Sequence, residues 1–191
     1  MNVVVAGATG FVGRHLCMRL LSHGHRVTAL TRRRAEAERL FGTAVKASEW
    51  DGMHPGQWEK DLQGAQAVIN LAGAPIADMR WTKRRKRLLT ESRINTTRAL
   101  VQACSRLAVK PQIFLSASGI GFYGPQDDRA LDETGPPGDG FLADLCVQWE
   151  SAAKEASTYG IRVGYLRTGM VLGKEGGALP RIAFPFRFFL G

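Results

Sequence analysis

Cysteine is scarce in this 191-residue chain, and the three present, Cys17, Cys104 and Cys146, lie far apart with no C-x-x-C pair. An odd, scattered set fits reduced thiols in a cytoplasm better than a disulfide framework or a zinc site. The four histidines, His15, His23, His25 and His54, have neither metal-ligand spacing nor Ser/Asp companions, so no metal is expected. Long apolar runs are lacking too. None approaches bilayer length, and the opening Met1–Val5 carries no basic leader. Together these absences predict a soluble, cytoplasmic protein with no membrane partner. Internal repeats and low-complexity linkers are also missing, so the length reads as one domain, large enough to bury a sizeable core.

What is present is ordinary in bulk, 45% apolar and 23% charged, but the charge is unevenly placed. Lys and Arg number 26 against 17 Asp and Glu, and two clusters carry the whole excess: Arg32–Arg34, and Arg80 with Lys83–Arg87. The second cluster opens a long polar helix and reads as a solvated face. No aromatic-studded strand or recognition-helix pattern accompanies it, which argues against a nucleic-acid partner.

Strand and helix signals alternate along the chain. Val3–Ala6 is a short apolar run of the kind that forms a buried parallel strand, and Leu16, Leu20 and Leu21 follow it at helical spacing. Arg26–Leu30 is a second strand, Arg33–Phe41 a charged helix, and Thr43–Ala47 a weak third strand. Ala67–Ala72 is a clear buried strand. A long helix is expected over Thr82–Ala108, with Ile94, Val101 and Ala108 on one face. Gln112–Ala117 is a further strand, Phe141–Thr158 a helix, and Ile161–Leu166 a last strand. The Gly/Pro/Asp-rich stretch from Ser118 to Gly140 is too long for a plain connector and is a candidate for site-forming work. This βαβαβ order predicts an α/β fold with a doubly wound parallel sheet, the Rossmann arrangement. The apolar segment Ala183–Gly191 closes no element and would lie exposed unless covered, which favours a chain cut short over one whose end docks on its own core.

Gly7-Ala8-Thr9-Gly10-Phe11-Val12-Gly13 is G-x-x-G-x-x-G, following an apolar strand and opening an amphipathic helix. Gly7 permits the tight turn, Gly10 lets the backbone approach a pyrophosphate, and Gly13 lets the helix pack close on the sheet. Free N–H groups at the helix start, with the dipole behind them, favour phosphate. Dinucleotide sites for NAD usually end the second strand with an acid that accepts from the ribose 2′-OH. Here that place reads Leu30-Thr31-Arg32-Arg33, and a guanidinium pairs with a 2′-phosphate. NADP is therefore expected over NAD, with Arg34 facing solvent.

The glycine turn, Asn70–Gly73, Arg93–Thr97, Ser116–Ser118 and Leu166–Gly169 together resemble an extended short-chain dehydrogenase/reductase of the sugar-nucleotide epimerase type. Pro75–Ala77, Arg80–Thr82, Gly121–Gly124, Pro136–Asp139, Trp149-Glu150 and Arg167–Gly173 are similar to its atypical, cell-division-inhibitor-like (YfcH-type) epimerase branch. That resemblance implies NADP(H) held by Gly7, Thr9, Gly10, Phe11, Val12 and Gly13. It implies Thr31 and Arg32 at the adenosine phosphate, Leu71, Ala72 and Gly73 under the ribose, and Arg93 near the cofactor. The stretch containing Arg167 and Val171 would line the nicotinamide side. It further implies an NADP-binding Rossmann domain over 1–175, with 176–191 starting a C-terminal substrate region whose remainder this chain lacks. The partner implied is a small molecule, sugar- or nucleotide-linked, and the oligomeric state stays open, a homodimer included.

Short-chain dehydrogenases pair a Tyr with a Lys one helical turn on, the Lys lowering the phenol pKa for proton transfer. Aligned on Glu150, those places hold Leu142 and Cys146, and neither can serve. The remaining candidates are Ser118, Tyr123 and Asn95. Ser118 matches the superfamily serine but could simply hydrogen-bond the loop. Tyr123 could supply a phenol or merely wall the cleft. Asn95 matches a helix asparagine of the superfamily site, or is a satisfied helix polar group. Asp127, Asp128, Asp132 and Glu133 read as an acidic loop surface. The expectation is an NADP(H)-binding epimerase or oxidoreductase lacking the Tyr-x-x-x-Lys pair, with a non-catalytic NADP(H)-binding regulator as the alternative.

Overall fold

The computed structural model describes residues 1–188. Alternating valines begin it. In β1 (Asn2–Ala6), Val3 and Val5 face one side of the sheet while Val4 and Ala6 face the other, and all four are buried. A strand apolar on both faces needs cover on both, which the helices supply.

Six parallel strands form the sheet, β1, β2 (Arg26–Thr31), β3 (Val45–Glu49), β4 (Ala67–Asn70), β5 (Ile113–Gly119) and β6 (Arg162–Thr168), in the order β3-β2-β1-β4-β5-β6. Helices α1 (Phe11–Ser22) and α2 (Arg34–Phe41) cover one face, burying Cys17, Ala37 and Phe41 against Val3, Val5, Val27, Ala29 and Ile69. Helices α3 (Lys83–Arg106) and α4 (Phe141–Lys154) cover the other. There Leu100, Val101, Cys104 and Ala153 meet Val4, Ala6, Leu30, Val68 and Phe114. The fold is doubly wound. The winding reverses between β1 and β4, and the crevice at that switch point, outside the strands' carboxyl ends, is where such sheets bind ligands.

Element boundaries depart from the sequence reading where side chains intervene. Strand β4 stops at Asn70 instead of Ala72, because Asn70 Oδ1 accepts from the Ala72 N–H at 3.1 Å and turns the chain. The third strand begins later, at Val45, behind a 3-10 turn over Gly42–Ala44. The helix expected over Phe141–Thr158 is α4 followed by a separate 3-10 turn, Glu155–Tyr159. A core piece the periodicity did not reveal is the 3-10 turn Gln57–Leu62, where Trp58 stacks on Trp50 at 4.6 Å and both are buried.

Beyond β6 come a small hairpin, β7 (Leu172–Gly173) with β8 (Gly176–Gly177), and a short helix, α5 (Leu179–Ala183). Within the apolar end segment, Phe184, Phe186 and Phe188 are exposed, and residues 189–191 lie outside the described residues. Among the described residues, no helix is long and apolar enough to cross a membrane, and no group of three or more His, Cys, Asp or Glu could hold a metal ion.

Candidate functional site

The glycine turn, Thr31, Leu71–Gly73, Ser118 and Arg167 all lie at or just beyond the carboxyl ends of strands of the sheet. The glycine turn leaves β1 with Gly7 at φ +78°, a conformation side chains other than glycine rarely adopt. A Cβ there would also lie 2.7 Å from the Leu71 carbonyl carbon, so the turn and the end of β4 close on each other across the switch point. Gly13 is constrained as tightly, since a Cβ there would stand 2.2 Å from Gly7 O.

Between them, Gly10 donates its N–H to Gly7 O at 3.0 Å and caps α1 with its backbone alone. No side chain caps this helix start and no acid lies in its first turn. The N–H groups of Phe11, Val12 and Gly13 have no acceptor among the described residues. Four orphan amides at a helix start are normally satisfied by a cap, by water or by a ligand, and the dipole favours an anion. The geometry therefore fits a diphosphate.

At the end of β2, Thr31 is buried, and its hydroxyl oxygen accepts from the Arg33 N–H at 3.1 Å. Arg33 pairs with Glu36 and Arg34 with Glu38, each at 2.7 Å, and Arg34 is exposed. Arg32 is exposed and takes part in no ion pair among the described residues.

The end of β4 is held by a buried polar knot. Thr97 Oγ1 accepts from Asn70 Nδ2 at 2.9 Å and from Trp149 Nε1 at 3.0 Å, and donates to the Arg93 carbonyl at 2.7 Å. Leu71, Ala72 and Gly73 follow directly. Arg93 lies under them: a Cβ on Gly73 would come within 3.0 Å of its Cζ. The guanidinium donates to Leu89 O and Ala74 O, both at 3.0 Å, and sits 5.1 Å over the Trp149 ring. Its Nε is buried without a partner, and burial pulls its pKa down to about 10. Asn95 is not part of this knot. Two residues on, it leaves the helix roughly 200° around from Arg93, half-buried.

At the ends of β5 and β6 a second network forms. Ser118 donates to Glu150 Oε1 at 2.6 Å, and Arg167 grips the same carboxylate with Nε and Nη2, each at 2.8 Å. Arg167 also donates to the Tyr123 hydroxyl at 2.8 Å and stacks 3.5 Å from the Phe122 ring centre. The Glu150 carboxylate, with a smaller part from the Tyr123 hydroxyl, holds its pKa above the usual guanidinium range. The Tyr123 phenol in turn donates to Asp132 O at 2.9 Å, so its proton fastens the long loop. Asp127 is held by Arg129 and Asp132 by Thr134, both on the exposed loop.

Three successive turns of α4 face this edge. Leu142 packs where a Cβ on Gly121 would meet it at 3.0 Å, Cys146 Sγ lies 3.8 Å from a Cβ placed on Gly119, and Glu150 meets Ser118. The Cys146 thiol is pushed up by burial. Sequence motif alone assigns Glu150 no role in the site. Its signal was there: one acid on an otherwise apolar stripe of Leu142, Cys146, Trp149 and Ala153. Val171 is exposed, and its carbonyl accepts the Ala178 N–H at 2.9 Å, at the base of the hairpin.

Comparison with known proteins agrees with this architecture. A family model described as the NAD dependent epimerase/dehydratase family matches residues 3–183. The chain is 38% identical over 196 residues to a chloroplastic SDR39U1 homolog, an epimerase family protein of Arabidopsis thaliana. That alignment covers 100% of this chain and 55% of the relative. Among solved structures, human SDR39U1 (isoform 2) with NADPH superposes with a TM-score of 0.82 at 31% identity, over 100% of this chain and 61% of that one. A nucleoside-diphosphate sugar epimerase from Corynebacterium glutamicum gives a TM-score of 0.81 at 33% identity, over 97% of this chain and 37% of that one. The chain thus spans little more than half the length of the curated relatives it matches, 55% and 59% for two of them.

Proposed function

The chain belongs to the NAD dependent epimerase/dehydratase family, and from that premise we propose that it binds NADP(H) as an epimerase- or oxidoreductase-like protein with an atypical active site. The observation that carries this reading is the uncapped, acid-free start of α1, with three amides beside Gly7 that have no acceptor among the described residues. Gly7, Thr9, Gly10, Phe11, Val12 and Gly13 would cradle the diphosphate. Leu71, Ala72 and Gly73 would lie under the ribose with Arg93 beneath them, and Arg167 and Val171 would stand on the nicotinamide side. When bound, the cofactor supplies hydride transfer.

Selection of the 2′-phosphate falls to Arg32, with Thr31 beside it. Its neighbours Arg33 and Arg34 are engaged by Glu36 and Glu38, and the human relative's structure contains NADPH. Fluorescence titration tests this. Arg32→Glu weakens NADPH binding by about 1.5–3 kcal/mol, the worth of a charge-assisted contact, and leaves NADH nearly unchanged. Equal losses for both nucleotides overturn the assignment.

The active site is atypical because Leu142 and Cys146 occupy the face of α4 that meets Ser118, where the superfamily has Tyr and Lys. Ser118, Tyr123 and Asn95 are the polar groups left to serve. The substrate proposed is a small sugar- or nucleotide-linked molecule, after the named activity of the Corynebacterium relative. Residues 1–175 form the cofactor domain and 176–191 begin the substrate region. Three free, buried thiols support a reducing cytoplasm.

A second reading, a non-catalytic NADP(H)-binding regulator, is favoured by the same network. Ser118 gives its proton to Glu150 and Tyr123 gives its own to Asp132 O, so neither has one free for a substrate. Transfer of deuteride from labelled NADPH separates the two readings. Label appearing in a sugar nucleotide supports the enzyme, and binding with no transfer across carbonyl and sugar-nucleotide substrates supports the regulator.

A further inference from the structure

The small hairpin beyond β6 is fastened to the glycine turn by a single ring. Leu172 pairs with Gly177 and Gly173 with Gly176. Only Gly177 among its glycines has a positive φ, so backbone conformation does not explain the other two. Phe11 does. A Cβ on Gly173 would come 2.4 Å from Phe11 Cζ, one on Gly176 2.5 Å from Phe11 Cδ2, and one on Gly177 3.3 Å from Phe11 Cε1. Glycine is needed on this face because the ring lies flat against it.

Phe11 is the first residue of α1, and its own N–H is one of the amides left without an acceptor. The hairpin therefore stands beside the place where a diphosphate would sit. At its tip, Glu175 pairs with Arg14, one turn further along α1, at 3.1 Å, and the Arg14 guanidinium lies 5.3 Å over the Phe11 ring. The ring contact is half-buried and the ion pair exposed at its acidic end. Leu172 is 59% exposed and the Glu175 side chain 75%. A segment that packs on α5 but is joined to α1 by one ring contact and one surface ion pair among the described residues can release from α1 and re-dock at small cost.

We infer that the hairpin Leu172–Gly177 is a latch on the dinucleotide site: docked on Phe11 and clasped by Arg14 and Glu175, it retards cofactor release. Glu175 acts as a positioning residue, through Arg14. The latch rests on the cofactor reading above.

Stopped-flow displacement of bound NADPH tests it in the full chain. Gly176→Val, which cannot fit beside Phe11, speeds release about tenfold, the equivalent of 1.4 kcal/mol, while association stays within about twofold. Glu175→Lys, an exposed change that carries the test should Gly176→Val not fold, speeds release by about threefold. Adding Arg14→Glu to Glu175→Lys restores the opposite charges and brings the rate back toward that of the parent. Trypsin supplies a readout that a merely structural hairpin would not move: saturating NADPH slows cutting after Lys174 in the parent and not in Gly176→Val. Parent-like release in both single variants, with Lys174 cut equally with and without NADPH, overturns the latch alone. No NADPH binding by the parent overturns the cofactor reading and the latch with it.

Discussion

Glu150 and Arg167 form a two-toothed ion pair at the carboxyl edge of β6, each guanidinium contact 2.8 Å long and the side chains only 9% and 16% exposed. Among the described residues the arginine is the sole counter-charge on a carboxylate that also accepts a hydrogen bond from Ser118, so removing either partner leaves a buried charge unmatched. Glu150→Leu is expected to cost about 3 kcal/mol of folding stability. Glu150→Leu combined with Arg167→Leu recovers a large part of that, because the stranded charge is gone. Urea denaturation of the two singles and the double gives the coupling energy, and simple additivity would show the pair to be structurally idle.

Gly10 and Gly13 make a contrasting pair within one turn. At Gly13 an added methyl meets Gly7 O at 2.2 Å and two further backbone atoms at 2.9 Å, which cannot yield without moving the turn. At Gly10 it meets only Gly7 O, at 3.2 Å, and the φ of −69° suits any residue. Gly13→Ala should lose about 2 kcal/mol or more of stability, as overpacking does. Gly10→Ala should stay within about 1 kcal/mol of the parent yet weaken NADPH at least about tenfold, by filling the space the diphosphate needs. Thermal melts with and without NADPH distinguish the two, and parent-like affinity in Gly10→Ala would count against the diphosphate placement.

Much of this was legible in the residues. The alternation of Val3 to Ala6, the G-x-x-G-x-x-G spacing and the helical repeats of α3 and α4 follow from periodicities of 2 and 3.6, which survive without knowledge of the fold. What was not legible is pairing across the chain. Nothing near Glu150 in sequence names Ser118 or Arg167 as its partners, 32 and 17 positions away. The Trp50–Trp58 stack escaped because its segment has no period at all, being a 3-10 turn inside an irregular connection.

Thr97 is the hub joining β4, α3 and α4, and its hydroxyl is fully used, accepting from Asn70 and Trp149 and donating to the Arg93 carbonyl. Thr97→Val keeps the shape and strands two buried donors. A loss of about 2–4 kcal/mol follows if each unpaired donor costs about 1–2. Because Asn70 also sets the turn into Leu71–Gly73, NADPH affinity should fall with it, whereas Thr97→Ser should retain both. A parent-like urea midpoint for Thr97→Val would mean that water replaces the hydroxyl.

The buried thiols make the folded chain sensitive to alkali in a definite direction. Burial raises Cys17 and Cys104 from 9.0 to about 12, and raises Cys146 as well. Between those limits the folded chain keeps protons that the unfolded chain has released. The stabilisation is therefore complete below pH 9 and is lost progressively as the pH climbs toward 12. Urea midpoints should fall steadily from pH 9 to pH 10.5, with a shallower slope in Cys17→Ala and Cys104→Ala than in the parent. The same burial makes these thiols poor nucleophiles when folded. At pH 8 an aromatic disulfide reagent should modify Cys17 and Cys104 only as fast as the chain opens, and all three thiols at once after denaturation. Immediate reaction of either buried thiol in the native protein would refute the burial on which the slope depends.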